Sequence, residues 1–227
     1  MSSRAQYETD ILPTSVGDLE ITFLGHGSLM FACGGCILYV DPFTRVADYA
    51  ELPKADVVLI THEHHDHLDP QALAIVRTGG TAVILTETCA RQVEGGIVMR
   101  NGDVQTVKGV QVEAVPAYNV VHKRENGQPF HPPGVGNGYI VTFGDKRVYV
   151  AGDTENISEM RGFQSIDCAF LPMSLPYTMP PEMVAEAARA LRPKILYPYH
   201  YGDTDVSKLE RLLESERDIE VRIRAMA

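Results

Sequence analysis

Short apolar runs divided by turn residues set the pattern of this chain. Residues 19–24, 28–33 and 36–40 read as three strands, and the third ends at Asp41-Pro42. Residues 43–55 read as loop with at most a helical turn. The β-branched run 56–60 reads as a buried strand. Asp69-Pro70 has the form of a helix cap followed by proline at the first helical position, so a helix is predicted over 70–77, with Leu73, Ile75 and Val76 as its apolar face and Gly79-Gly80 as its stop. Further on, the pattern predicts a strand at 82–85, a short helix at 87–94 and a hairpin of 104–107 with 110–115 around Lys108-Gly109. Strands follow at 138–143, 147–151 and 167–171. A helix begins at Pro181, buries Met183, Val184, Ala187 and Leu191, and ends at Arg192-Pro193. A strand at 195–197, a helix at about 205–214 and an alternating strand at 219–223 close the chain. Strands, hairpins and a few helices in this order predict an α+β layered domain, with residues 1–227 as a single domain.

Residues 116–135 break the pattern. They carry Pro116, Gly127, Pro129, Pro132, Pro133 and Gly134 and show no apolar period. A loop of this length inside a domain is usually functional or disordered. Tyr118-Asn119 and Phe130-His131 stand near its two ends, so it reads as a lid.

Composition narrows the partners. The chain has 227 residues, 44% hydrophobic and 22% charged, which is enough to bury a core as one domain. With 20 basic against 30 acidic residues its formal charge is −10, which argues against nucleic acid as the main partner. No run is long enough to span a membrane. Residues 1–10 are polar and lack the apolar core of a secretory signal, so a cytoplasmic location is expected. Cys89 and Cys168 sit in apolar surroundings as small core residues. Cys33-Gly34-Gly35-Cys36 is read as a two-residue hairpin turn, with a reversible local disulfide as the alternative.

The chemistry concentrates in residues 61–70, Thr-His-Glu-His-His-Asp-His-Leu-Asp-Pro, on the loop between a strand and a helix. His62 and His64 are two apart and can face one centre from extended chain. Asp66 and His67 follow where the chain turns and can face a second. Imidazole and carboxylate together suit zinc, manganese or iron. His65 alternates away from its neighbours and is not expected to ligate.

His62-x-His64-x-Asp66-His67 resembles the signature of the metallo-β-lactamase-fold superfamily. Gly25-His26-Gly27-Ser28 and Asp41-Pro42 before it, and Gly152-Asp153-Thr154 and Pro198-Tyr199-His200 after it, extend the resemblance over nearly the whole chain. The small single-domain branch that includes ascorbate-6-phosphate lactonase-like proteins is the most similar. The resemblance implies a four-layer αβ/βα sandwich with a metal site at one edge. It also implies one or two divalent ions, zinc first and manganese or iron as alternatives. His62 and His64 would bind metal one, and Asp66, His67 and His200 metal two. Asp153 would bridge them; standing alone it would read as a turn cap. The implied activity is hydrolysis of a small-molecule ester, lactone or phosphorylated substrate by a metal-bound hydroxide, with Asp66 as the catalytic carboxylate. Alternatives are a ribonuclease Z-like phosphodiesterase, a di-iron oxidoreductase and a non-catalytic metal-binding protein. His26 is open between a role beside the metals and a plain turn histidine. Tyr177-Thr178-Met179 is open between lining the pocket and anchoring a loop.

One departure from the family pattern stands out. Many members place a histidine just after the strand that here ends Val115-Pro116-Ala117-Tyr118, whereas this chain has Asn119. An amide oxygen is a poorer zinc ligand than imidazole. His131 is therefore expected to fold back onto metal one or its bound water and partly replace the missing ligand, with Asn119 as the alternative ligand. His122, followed by Lys123-Arg124, is expected to face solvent.

Overall fold

The computed structural model describes residues 7–227; the first six residues of the polar N-terminal stretch lie outside them. Two seven-stranded sheets face each other. The first runs in chain order through β1 (Glu8–Thr14), β2 (Gly17–Gly25), β3 (Ser28–Cys33), β4 (Cys36–Val40), β5 (Val57–Leu59), β6 (Ala82–Leu85) and β7 (Ile97–Val98). Helix α1 (Pro70–Val76) lies between β5 and β6 in sequence. The second sheet runs outward from β8 (Val104–Val107) through β9 (Val110–Ala117), β10 (Gly136–Phe143), β11 (Lys146–Val150), β12 (Cys168–Pro172), β13 (Ile195–Tyr199) and β14 (Glu220–Val221). Helices α2 (Pro181–Leu191) and α3 (Ser207–Leu213) belong to this half.

Three apolar clusters define four layers. Leu19, Phe23, Phe31, Phe170 and Tyr197 fill the space between the sheets, where the Phe170 and Tyr197 rings stack at 4.9 Å. Val58, Ile60, Ala72 and Val76 join α1 to the outer face of the first sheet. Ala169, Leu171, Val184, Ala188 and Leu209 join α2 and α3 to the outer face of the second. Each large side chain fully buried here contributes roughly 1.5–3 kcal/mol by transfer from water. The expected αβ/βα sandwich is the observed architecture. Among the described residues no helix is long and apolar enough to cross a membrane.

Local chemistry explains the element ends. Asp69 caps α1 by accepting from Gln71 and Ala72 N–H, with Pro70 at the first helical position. Arg192 takes the left-handed conformation that ends α2 before Pro193. Gly34 and Gly35 both have positive φ (57° and 82°), as a two-residue primed turn requires, and the four cysteines are free.

Several elements differ from the sequence reading. β1 was not predicted: it is an edge strand with little buried surface, so its alternation is faint. The predicted helix at 87–94 is only a 3-10 turn, Cys89–Arg91, whereas the helical turn expected within 43–55 is there, at Tyr49–Glu51. β7 was missed because it is two residues long. β9 and β10 extend further than expected and shorten the irregular segment to 118–135.

The two halves are tied at the β1 edge. Asp10 accepts from Tyr197 Oη at 2.6 Å, Arg222 Nη1 at 3.1 Å and Arg224 Nη2 at 2.8 Å, joining β1 to the C-terminal segment. β4 to β7 are mutually parallel, as are β11 to β14. Asp41, residues 61–67, Asp153 and His200 all follow the carboxyl ends of such parallel strands, so the topology gathers them at one edge.

Candidate metal centre

Two ligand groups meet at that edge: His62, His64, His131 and Asp153 in one, and His26, Asp66, His67 and His200 in the other. In the first, His62 Nε2 is 3.0 Å from His64 Nδ1. His131 Nε2 is 3.2 Å from His64 Nδ1 and 3.2 Å from Asp153 Oδ2. In the second, Asp66 Oδ2 lies 3.7 Å from His67 Nε2 and 3.5 Å from His200 Nε2. Asp153 joins the groups, because its Oδ2 faces the first while its Oδ1 stands 3.5 Å from His67 Nε2 and 3.7 Å from His200 Nε2.

These spacings fit a cation. Ligand atoms at ~2.1 Å on a tetrahedron stand ~3.4 Å apart. The separations within the two groups cluster around that edge length. Three of the atoms involved, His67 Nε2, Asp153 Oδ1 and His200 Nε2, are buried and have no hydrogen-bond partner. Buried polar atoms are rarely left so. Charge points the same way. Burial pushes the His67 imidazole down, but the Asp153 and Asp41 carboxylates outweigh it and hold its pKa well above the usual histidine range. Burial and the neighbouring His67 hold His62 well below that range. Burial pushes Asp153 up, and His200 and His67 overcome it to hold the carboxyl well below the usual range. The buried carboxylates thus demand positive charge at this edge, which a proton on His67 meets and a divalent cation meets better.

The surroundings set the ring directions. His67 Nδ1 donates to Asp41 Oδ2 at 2.7 Å, leaving Nε2 aimed at Asp66 and Asp153. Asp41 also accepts Thr61 N–H and Thr61 Oγ, at 2.8 and 2.6 Å. A side chain at Gly27 would crowd the centre, since a Cβ there would stand 3.1 Å from His67 Cε1. His26, Asp41 and His200 all have positive φ (52°, 43° and 48°), so the edge is built from strained backbone held by its neighbours. His200 N–H donates to His26 O at 3.0 Å, which locks the 26–27 turn against the end of β13.

Every candidate from the sequence can now be placed. His62, His64, Asp66, His67, Asp153 and His200 converge at the edge, and His131 joins them from the loop. Asn119 does not face the cluster with a free oxygen; that oxygen accepts His131 N–H and Nδ1 at 2.7 and 2.8 Å. His26 is beside the centre, with its Nε2 3.0 Å from Asp66 Oδ2. His65 stays exposed. His122, expected in solvent, is instead half-buried with its Nδ1 on Glu155 Oε1, because that carboxylate needs donors. Tyr177 does both things considered for it: its carbonyl accepts from Asn119 and its ring lines the cleft beside His26 and His200. Sequence reasoning missed the roles of Asp41 and Glu155. Asp41 was visible as a carboxylate at a strand end. Glu155 carried no signal beyond following Asp153 by two positions.

The cleft has a volume of about 450 Å³ and opens on the second group between His26 and His200. Leu175, Tyr177 and Pro181 form its apolar wall, and Ser174, Thr204 and Asp203 supply its polar groups.

Comparison with known proteins gives one consistent picture. The Beta-lactamase superfamily domain profile matches residues 20–200. A UPF0173 metal-dependent hydrolase from Pelotomaculum thermopropionicum is 30% identical over 90% of this chain and 96% of its own. A crystal structure from Parabacteroides distasonis shares 47% identity and a TM-score of 0.93, covering 97% of this chain and all (100%) of its own. Igni18, a metallo hydrolase from the archaeon Ignicoccus hospitalis, shares 27% identity and a TM-score of 0.75, covering 90% of this chain and 94% of its own.

Proposed function

Because this chain belongs to the β-lactamase superfamily, and within it to the UPF0173 metal-dependent hydrolases, we propose that it hydrolyses a small carbonyl ester or lactone at a two-metal centre. The observation that carries this reading is Asp153, whose two oxygens each face a separate ligand group. His62, His64, His131 and Asp153 would hold one ion. Asp66, His67, His200 and Asp153 would hold the other. Zinc suits the imidazole-rich set, and manganese and iron are its competitors. When bound, such ions polarise the substrate oxygen and lower the pKa of water toward neutrality.

The chain's own groups do the rest. Asp66 is the most exposed carboxylate of the set, at 23%. Burial pushes its pKa up, but the His200 imidazole 3.5 Å away and a hydrogen bond with His26 hold it well below the usual carboxylate range. A carboxylate held that low stays ionised, so it can orient the attacking water and relay its proton to His26. His26, 3.0 Å away, sits where it can pass that proton toward the leaving alkoxide as the acyl C–O bond breaks. Asp41 keeps the His67 ring in one tautomer, as a carboxylate behind a ligating histidine does.

The cleft supports a carbonyl substrate over a phosphodiester. Apart from His26 and His200 its walls are apolar and hydroxyl-bearing with one carboxylate, Asp203, and the chain's net charge is −10. Both disfavour a polyanion. Metal-stripped protein reconstituted with zinc, manganese or iron should hydrolyse aryl esters and lactones faster than bis(p-nitrophenyl) phosphate. Faster turnover of the phosphodiester would reverse the substrate order, and inactivity with all three ions would remove the hydrolase reading.

A further inference from the structure

Glu155 is fully buried although it carries a carboxylate, and its side-chain hydrogen bonds all come from residues 119–122 of the irregular segment. Its Oε2 accepts Val120 N–H at 2.6 Å and also Val121 N–H. Its Oε1 accepts His122 N–H at 2.8 Å, His122 Nδ1 and Asn119 Nδ2 at 3.1 Å. Successive backbone N–H groups wrapped around one anion form a nest. Together with Asn119 Nδ2 and His122 Nδ1 they leave the carboxylate saturated, since it has about four lone-pair sites.

Asn119 is saturated too. Its Nδ2 gives one hydrogen to Glu155 Oε1 and the other to Tyr177 O at 2.9 Å. That fixes which end of the amide is oxygen, and the oxygen faces His131. It accepts His131 N–H at 2.7 Å and His131 Nδ1 at 2.8 Å, while Asn119 N–H donates back to His131 O at 2.9 Å. An amide oxygen only accepts, so His131 must carry its proton on Nδ1. Its Nε2 lone pair is then left pointing at His64 Nδ1 and Asp153 Oδ2, 3.2 Å from each. The stretch between these anchors, Lys123 to Pro129, closes on itself through a Lys123–Pro129 bridge and stays largely exposed.

We infer that Glu155 and Asn119 are positioning residues acting through His131: Glu155 fixes the Asn119 amide, Asn119 fixes the His131 tautomer and direction, and the first metal site is complete only while residues 118–135 are docked. The inference rests on the two-site reading above. It makes Asn119 a support for a ligand delivered by the loop. Docking and first-site binding are then linked, so each strengthens the other.

Zinc titration calorimetry on metal-stripped protein tests this, with amide hydrogen exchange across 118–135 as an independent readout. Glu155→Gln replaces an acceptor by an NH₂ group facing backbone N–H groups, so the nest opens. First-site affinity should fall 10–100-fold, the range for losing a ligand's outer partner, with second-site affinity unchanged. Asn119→Ala, which spares the nest, should do the same. Adding Glu155→Gln to His131→Ala should cost nothing further at the first site. Zinc should slow exchange over 118–135 in the wild type and not in Glu155→Gln. The inference is overturned if Glu155→Gln keeps first-site affinity within twofold, weakens both sites equally, or adds to His131→Ala. Should the wild type bind no zinc, the two-site reading fails by itself. Exchange in the metal-free protein then still decides the latch: it must speed up over 118–135 in Glu155→Gln, and unchanged exchange refutes it.

Discussion

Asp41→Asn isolates the role of a single buried carboxylate. Asp41 Oδ2 accepts from His67 Nδ1 and Thr61 Oγ, and Oδ1 accepts from Thr61 N–H. Asparagine has the same shape but only one acceptor atom. Placed with its oxygen toward His67, it turns an NH₂ against the Thr61 N–H. Placed the other way, it turns the NH₂ against His67 Nδ1, which must then give up its proton and move it to Nε2, the nitrogen facing the second group. The first orientation leaves the Thr61 N–H without an acceptor, and the second puts a proton on the His67 nitrogen that faces Asp66 and Asp153. Losing the outer partner of a ligating histidine typically costs 10–100-fold in metal affinity, or about 1.4–2.7 kcal/mol. Thermal or urea unfolding with and without zinc reads this directly. At a free ion concentration 1,000 times the wild-type Kd, the ion adds about 4.1 kcal/mol to wild-type stability. A 100-fold weaker variant gains only about 1.4 kcal/mol under the same conditions. An Asp41→Asn protein that gains as much from zinc as the wild type would refute the reasoning.

Three further outcomes follow from particular contacts. Asp66→Asn should lower kcat by roughly 10²–10⁴-fold with the fold of the metal-free protein intact, since it removes a proton-handling group beside His26 and His200; near wild-type turnover with both sites filled would contradict its role. Gly27→Ala places a Cβ 3.1 Å from His67 Cε1, so the ring must shift by a few tenths of an ångström. Second-site affinity should fall by roughly tenfold while the first site is spared, and equal loss at both sites in calorimetry would count against the two-group assignment. Asp10→Asn removes a carboxylate whose pKa burial pushes up but Tyr197, Arg224 and Arg222 pull below its usual 3.8. A depressed folded pKa means the contribution is fully present above that value and is lost as pH falls through the lower folded one. The variant should therefore be roughly 1–3 kcal/mol less stable at pH 7, with the gap to wild type closing below about pH 3.8; urea midpoints showing a constant gap would exclude this linkage.

The sequence was most legible where period and punctuation agreed. The strand before the histidine cluster, the Asp69-Pro70 cap and the Arg192-Pro193 stop all carry local signals that the fold obeys. β1 and β7 were not legible, because an edge strand and a two-residue strand bury too little to impose a pattern. The 87–94 segment lacks the length for a helix once Thr86 Oγ accepts Cys89 N–H and the chain turns at Gly95. In the site, residues close in sequence were readable from spacing alone, and Asp153 and His200 from family order. The link between His131 and the cluster rests on a hydrogen bond spanning 12 positions to Asn119, which is in turn set by Glu155, 36 positions further on. Contacts of that range leave no period in the chain.

Anomalous diffraction from crystals grown with zinc or manganese tests the central claim most directly. Two peaks are expected, about 3.5–4 Å apart, as in other two-metal sites. One should be bounded by His62, His64, His131 and Asp153, and the other by Asp66, His67, His200 and Asp153. A single peak that leaves His131 uncoordinated, or no peak at this edge at all, would contradict the account.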